Sequence, residues 1–171
     1  MLYKHDWYNV VFDIKAVYNP QIKPEDVWYN NDPKLFFFRI EEYSPLDISF
    51  VDGIGSNTGY FKLANLLQTS TTAAHEYGHM IGLYHPKELD VRGHAAPGIM
   101  YPRGTLCDPH FQYDPSATPG QKGGTLDPKH RKVLAEDIQQ LKLHKLDFDE
   151  GGFAVFGDFT SIYHAHYLPK E

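Results

Sequence analysis

Several features that would define a class of protein are scarce in this sequence. The single cysteine, Cys107, excludes an intrachain disulfide. The net charge is −6 and there is no basic run, which argues against nucleic acid and anionic membranes as partners. No apolar run is long enough to span a bilayer, and the first ten residues lack the apolar segment of a signal peptide. These absences leave two alternatives open, an intracellular protein or an excised domain whose export signal lies elsewhere.

What is present is the composition of a folded domain. The chain has 171 residues, of which 42% are hydrophobic and 15% aromatic, enough for one domain with a core. Runs of β-branched and aromatic residues predict strands. These runs are 7–18, 35–43, 46–51 and 60–67, the last being ambiguous between strand and helix. The tail 153–167 predicts a hairpin that turns at Gly157 and Asp158.

Proline and glycine mark the boundaries of the remaining elements. Pro24 predicts the first turn of a short helix. The segment 86–126 is rich in proline and glycine and predicts a long irregular region of functional importance. Asp127 and Pro128 predict the N-cap and first position of a helix. Its apolar stripe consists of Leu134, Ile138 and Leu141.

The densest chemical signal lies in a helix predicted within 73–86, "AAHEYGHMIGLYHP". His75 and His79 are four residues apart, so they lie on one face of a helix and can bind one cation. Glu76 lies about 100° further round the helix, where it can reach a water on that cation. The small and apolar neighbours of these residues predict a helix that is buried nearly all round. The pattern therefore favours two metal ligands and a general base.

A third ligand requires the helix to end. A continued helix would carry His85 away from the metal, whereas glycine readily ends a helix by adopting a positive φ. If the chain turns at Gly82, His85 can return as a third ligand. Three neutral imidazoles and a water form the tetrahedral pattern of catalytic zinc sites, although histidines also suit copper, iron and nickel.

The string "HEYGHMIGLYH" (75–85), followed by "GIMYP" (98–102), resembles the metzincin superfamily of zinc endopeptidases. The resemblance implies an α+β fold with a twisted N-terminal sheet, a central active-site helix and an irregular C-terminal part that ends in a helix. It implies a single catalytic domain, 1–171, with an upper subdomain of about 1–82 and a lower one of about 83–171. Met100 would be the Met-turn methionine beneath the metal. "LDISF", "EDIQQL" and "MYP" resemble matrixins and Pro86 resembles serralysins, so no single family is assigned.

The same resemblance implies an activity. Zinc on His75, His79 and His85 would activate water, with Glu76 as general base, to hydrolyse a protein or peptide substrate. That substrate would lie extended along the edge strand at 60–67, and the loop 101–126 would wall its pocket. The resemblance further implies a secreted monomer, and we expect a module of a larger bacterial protein such as a toxin. An amidase with a narrow substrate, such as a cell-wall peptide, and a non-enzymatic binding module with an inert metal remain alternatives.

Other residues that could carry chemistry have weaker patterns. His164 and His166 alternate along a predicted strand, which allows a second metal site, but surface or packed side chains are the better interpretation. Asp90, Asp108 and Asp114 lack the spacing of a calcium loop. Cys107 is interpreted as a buried or idle thiol. Some metzincins have a metal-binding tyrosine two residues after the Met-turn methionine, where this chain has Pro102, so we expect the neighbouring Tyr101 not to bind the metal.

Overall fold

The computed structural model describes residues 2–5, 8–44, 46–67, 70–118, 121 and 126–156, with side chains from residue 10 onward. This part of the chain has an α+β fold with a three-stranded mixed sheet, a separate two-stranded pair and a few short helices. The strands are β1 (Leu2–His5), β2 (Tyr8–Val11), β3 (Phe37–Glu41), β4 (Phe50–Val51) and β5 (Thr58–Lys62). The α-helices are α1 (Pro24–Trp28), α2 (Thr72–Met80) and α3 (Ala135–Gln140). Short 3₁₀ turns cover Leu63–Asn65, Pro109–Phe111 and Leu143–Lys145. No helix in these ranges is long and apolar enough to cross a membrane.

The central strand of the three-stranded sheet is β5. It pairs with β3 in parallel, with Phe37 opposite Thr58, and with β4 antiparallel, with Phe50 opposite Tyr60. Beyond that short pairing, the Lys62 N–H donates to Ser49 Oγ at 3.1 Å. The prediction that 60–67 forms an edge strand for substrate is therefore wrong. The strand ends at Lys62, and both of its sides already have partners.

The N-terminal strand is shorter than the predicted 7–18. It ends at Val11 and pairs only with β1, while residues 12–18 have no regular structure. Val17 and Tyr18 are 72% and 88% exposed, so their β propensity has no sheet to pack against. The strands predicted over 35–43 and 46–51 are likewise reduced to β3 and β4.

The last helix begins eight residues after the predicted N-cap. Asp127 instead accepts the backbone N–H of Lys129 at 2.9 Å, which forms a local turn. The Lys132 carbonyl then accepts the Ile99 N–H at 2.7 Å, which holds that segment in an extended bridge. The helix begins only at Ala135, where the Asp137 carboxylate accepts the Leu134 N–H at 2.8 Å.

The buried residues of two apolar clusters all follow α2 in sequence. The first joins the end of α2, the turn 98–101 and α3, and consists of Ile81, Leu83, Ile99, Met100, Ile138 and Leu141. The second consists of Val91, Cys107 and Leu126, with Tyr101 and Phe111 packed against it. The first cluster fixes the turn 98–101 against the helix that contains His75 and His79.

The C-terminal tail is described only as far as residue 156. Residues 153–156 contain no strand. The rest of the predicted hairpin, together with His164 and His166, lies outside the described residues.

Candidate metal centre

Helix α2 supplies two of the three histidines and buries one of its faces. Its buried residues are Glu76, Gly78, His79 and Met80, whereas Ala73 and Ala74 are exposed. The prediction of a helix buried nearly all round is therefore wrong for its first turn. At the N-terminus, Ser70 Oγ accepts the Thr72 N–H at 3.0 Å, which satisfies a donor that the helix itself leaves unpaired.

The helix ends at Met80, and the chain turns at Gly82 as the sequence predicts. This residue has a φ of +93°, and its N–H donates to the His79 carbonyl at 3.0 Å. The Leu83 N–H donates to the Gly78 carbonyl at 2.9 Å. This pair of bonds is a Schellman motif, which reverses the chain after a helix. The turn brings His85 back towards the helix.

The three histidines meet at their Nε2 atoms. His85 Nε2 lies 3.0 Å from His75 Nε2 and 3.0 Å from His79 Nε2. One ligand atom from each residue lies within 4.8 Å of the others. Ligands bound tetrahedrally at about 2.0–2.1 Å would be separated by about 3.3 Å. The three side chains are thus close enough together to bind one metal ion.

Backbone carbonyls determine which ring nitrogen is protonated in two of these histidines. His75 Nδ1 lies 2.7 Å from the Ile99 carbonyl oxygen, and His79 Nδ1 lies 2.7 Å from that of Leu83. Because a carbonyl oxygen only accepts hydrogen bonds, each Nδ1 must carry the proton. Each Nε2 then presents a lone pair.

Convergent lone pairs are the feature that fits a cation. His85 Nε2 lies 3.0 Å from both of these lone pairs, and a single imidazole proton on it could satisfy only one of them. Burial lowers the pKa of all three histidines, that of His75 to about 3. The imidazoles are therefore neutral at pH 7, which is the form that binds metals.

Glu76 follows His75 in α2, but its carboxylate is not one of the groups whose ligand atoms converge. Its side chain belongs to the buried face of α2, with 7% of the residue exposed. Burial raises the pKa of this carboxyl to about 7, and the positive charge of Arg131 opposes the rise. A carboxyl with a pKa near neutrality can both accept and donate a proton at working pH.

Met100 lies directly against α2 at Gly78, and its place beneath a metal, which the resemblance implies, remains a prediction. Residues 98–101 form a tight turn in which the Tyr101 N–H donates to the Gly98 carbonyl at 3.3 Å. Met100 is fully buried at 0% exposure. A Cβ on Gly78 would lie only 2.3 Å from Met100 Sδ. Only glycine therefore lets the helix approach this methionine so closely.

Sequence reasoning missed Arg131. This half-buried side chain binds the Ile99 carbonyl through Nη2, and the same atom lies 2.6 Å from the Tyr101 carbonyl. Its Nη1 donates to Thr71 Oγ1 at 3.1 Å. No local pattern could reveal these contacts, because the partners lie 30 to 60 residues away in sequence.

The other candidates from the sequence that lie within the described residues are not grouped around a shared metal position. Cys107 is buried, as predicted, and its burial raises the pKa of the thiol. Asp90 pairs with Arg92, the Asp108 carboxylate accepts the Gly93 N–H at 3.1 Å, and Asp114 accepts the Ser116 hydroxyl at 2.6 Å. In the described ranges, the histidine triad is the one group of three or more histidine, cysteine or acidic side chains placed to share a metal.

Comparison of the chain with known proteins identified no related protein. No model of a known protein family matches the chain, and no curated protein or solved structure does so either.

Proposed function

We propose that this protein is a zinc-dependent endopeptidase whose site is formed by His75, His79, His85 and Glu76. The observation that carries the proposal is the convergence of three histidine Nε2 atoms, with a buried carboxyl group at the next position of the same helix after His75. The sequence resemblance to metzincins, which covers 75–85 and 98–102, points to the same chemistry.

Zinc is proposed from the chemistry of the donors. Three neutral imidazoles form a common ligand set of catalytic zinc, which leaves a fourth position for water or substrate. Copper, iron and nickel accept the same donors, and metal analysis distinguishes them from zinc. When bound, zinc would supply Lewis-acid activation of a water and of the scissile carbonyl.

Glu76 would carry the proton of the reaction. As a base it takes a proton from the attacking water, whose oxygen forms a bond to the carbonyl carbon. As an acid it delivers that proton to the amine nitrogen when the C–N bond breaks. A buried carboxyl with a pKa of about 7 suits both steps, since it exchanges a proton at little cost near neutral pH.

An inert binding module is the weaker proposal for two reasons. Structural zinc sites usually have four protein ligands, whereas the group found in the described residues has three. A buried carboxyl is also costly to maintain, and a structural site has no use for it.

The test combines metal analysis with cleavage of a peptide library. We expect about one zinc per chain, and cuts in a proteome-derived peptide library that are mapped by mass spectrometry. Glu76→Gln should retain zinc while turnover falls by about 10²–10⁴, the usual contribution of a general base. The matched control is Glu150→Gln, because Glu150 is exposed and lies outside the site.

Three outcomes would contradict the proposal. They are a protein without bound metal, cleavage indifferent to a chelator, and a Glu76→Gln variant as active as the Glu150→Gln control. Cleavage confined to cell-wall peptides would support the amidase alternative instead.

A further inference from the structure

The Arg131 side chain joins three parts of the candidate site. It reaches the turn 98–101 through the Ile99 and Tyr101 carbonyls and the start of α2 through Thr71. Its Nη2 atom also lies 3.3 Å from His75 Nδ1. In the described part of the chain its guanidinium forms no ion pair with a carboxylate. Its contacts are therefore with backbone carbonyls, a hydroxyl and a ring nitrogen.

The number of hydrogens on Arg131 Nη2 determines which hydrogen bonds this atom can donate. Nη2 carries two hydrogens, and the two carbonyl oxygens accept both. None is left for His75 Nδ1, which faces the same Ile99 oxygen at 2.7 Å. The Ile99 carbonyl therefore accepts two hydrogen bonds, one from Arg131 and one from His75. The short distance between Nη2 and Nδ1 follows from this shared acceptor.

We propose that Arg131 is a positioning residue for the metal centre. It holds the Ile99 carbonyl where that oxygen keeps the proton of His75 on Nδ1, and it thereby directs the Nε2 lone pair to the metal. This inference rests on the metal site proposed above.

The type of side chain suits this task. Guanidinium is planar and can bind two carbonyls and a hydroxyl in fixed directions, whereas a lysine ammonium is a compact charge on a flexible stem. Charge alone would have the opposite effect on the site, because a cation beside a metal disfavours metal binding. Positioning and simple electrostatics therefore predict opposite changes in metal affinity when Arg131 is replaced by a neutral residue.

The first experiment measures metal affinity without any assay of activity. Apo protein is titrated with Co²⁺ and Zn²⁺ in competition with a chromophoric chelator, for Arg131→Gln, Arg131→Lys and the wild type. We expect both variants to bind about 10–100-fold more weakly, the usual cost of losing a group that orients a ligand. The absorption spectrum of the bound Co²⁺ should also change. Lys132→Gln, at an exposed neighbouring position, removes the same charge and should stay within about twofold of the wild type.

The decisive measurement of the second experiment uses the wild type alone, so it does not depend on whether a variant folds. Long-range ¹H–¹⁵N correlation spectra of the wild-type apo protein at pH 8 report which nitrogen of His75 carries the proton. We expect a protonated Nδ1 and an unprotonated Nε2. In Arg131→Lys, the population with a protonated Nε2 should rise.

The outcomes separate this inference from the proposed function. If the wild type binds neither Co²⁺ nor Zn²⁺, the proposed function fails, whatever the tautomer of His75. If the wild type binds metal but Arg131→Gln binds equally or more tightly, the positioning inference fails and the proposed function stands. A wild-type His75 protonated on Nε2 would also overturn the inference.

Discussion

Replacing Gly78 by alanine would place a methyl group on the fully buried side chain of Met100. The new Cβ would lie 2.3 Å from Met100 Sδ and 3.1 Å from its Cε. Both distances are too short for carbon and sulfur atoms in contact, so the methionine or the helix must move. Met100 has no exposed surface and packs within the first apolar cluster, which leaves it little room.

Two opposing effects determine the change in the free energy of unfolding. Alanine is favoured over glycine within a helix by about 1 kcal/mol. Overpacking of a filled core costs about 1–3 kcal/mol. The net result for Gly78→Ala is a loss of about 0–2 kcal/mol, or a fall in Tm of up to about 8 °C for a chain of this size.

A double-mutant cycle with Met100→Ala isolates the contact. Met100→Ala alone should cost about 2–5 kcal/mol because it leaves a cavity. In the double variant the clash disappears and the alanine methyl partly fills the cavity. The two changes should therefore be less than additive, with a coupling of about 1–3 kcal/mol that favours the double variant. Unfolding is followed in urea with chelator present, so that metal binding does not contribute.

Ala74→Gly, at an exposed position of the same helix, measures the propensity contribution separately. The reasoning is refuted if Gly78→Ala stabilises the protein by as much as Ala74→Gly destabilises it. An additive cycle would refute it equally.

Three further predictions concern the rest of the site. Gly82→Ala should lose about 1–2 kcal/mol of stability because Gly82 has a positive φ, and it should bind zinc more weakly because the path of the chain to His85 shifts. Gly104 has a φ of +91°, so the control Gly104→Ala should lose similar stability at unchanged zinc affinity. Equal zinc affinities in the two variants would contradict the reasoning. Tyr101→Phe should retain activity within a few-fold, because the ring packs on the second apolar cluster; a hundredfold loss in peptide cleavage would show that its hydroxyl acts in the site. Cys107→Ser should leave activity within a few-fold, since the thiol is buried in that cluster; strong activation would show instead that the thiol inhibits the enzyme.

The sequence by itself identifies the candidate ligands, because their geometry is local. Residues four apart on a helix share a face, and a glycine three residues later permits the turn that returns His85. Both expectations are confirmed by the structure, as is the short helix that begins at Pro24. The α+β class is confirmed as well, whereas a metzincin-like arrangement of the elements remains a prediction.

Long-range contacts decided the features that local patterns predicted wrongly. Asp127 and Pro128 have the pattern of a helix start, but pairing between Lys132 and Ile99 extends the chain there and delays the helix to Ala135. The family resemblance implied that the segment beginning at Tyr60 is an edge strand. In the folded protein, β3 and β4 pair with the two sides of this strand, and the order of strands in a sheet does not follow from residue type.

The contacts that orient the histidines also exist only in the folded protein. The Ile99 carbonyl that faces His75 comes from a turn 24 residues away, and Arg131 reaches that carbonyl across another 32 residues. A carbonyl group is present at every residue, so sequence cannot single out the ones that will orient a ligand. Residue type and spacing thus determined which side chains can bind a metal, while tertiary packing decided which nitrogen each of the two helix histidines presents to it.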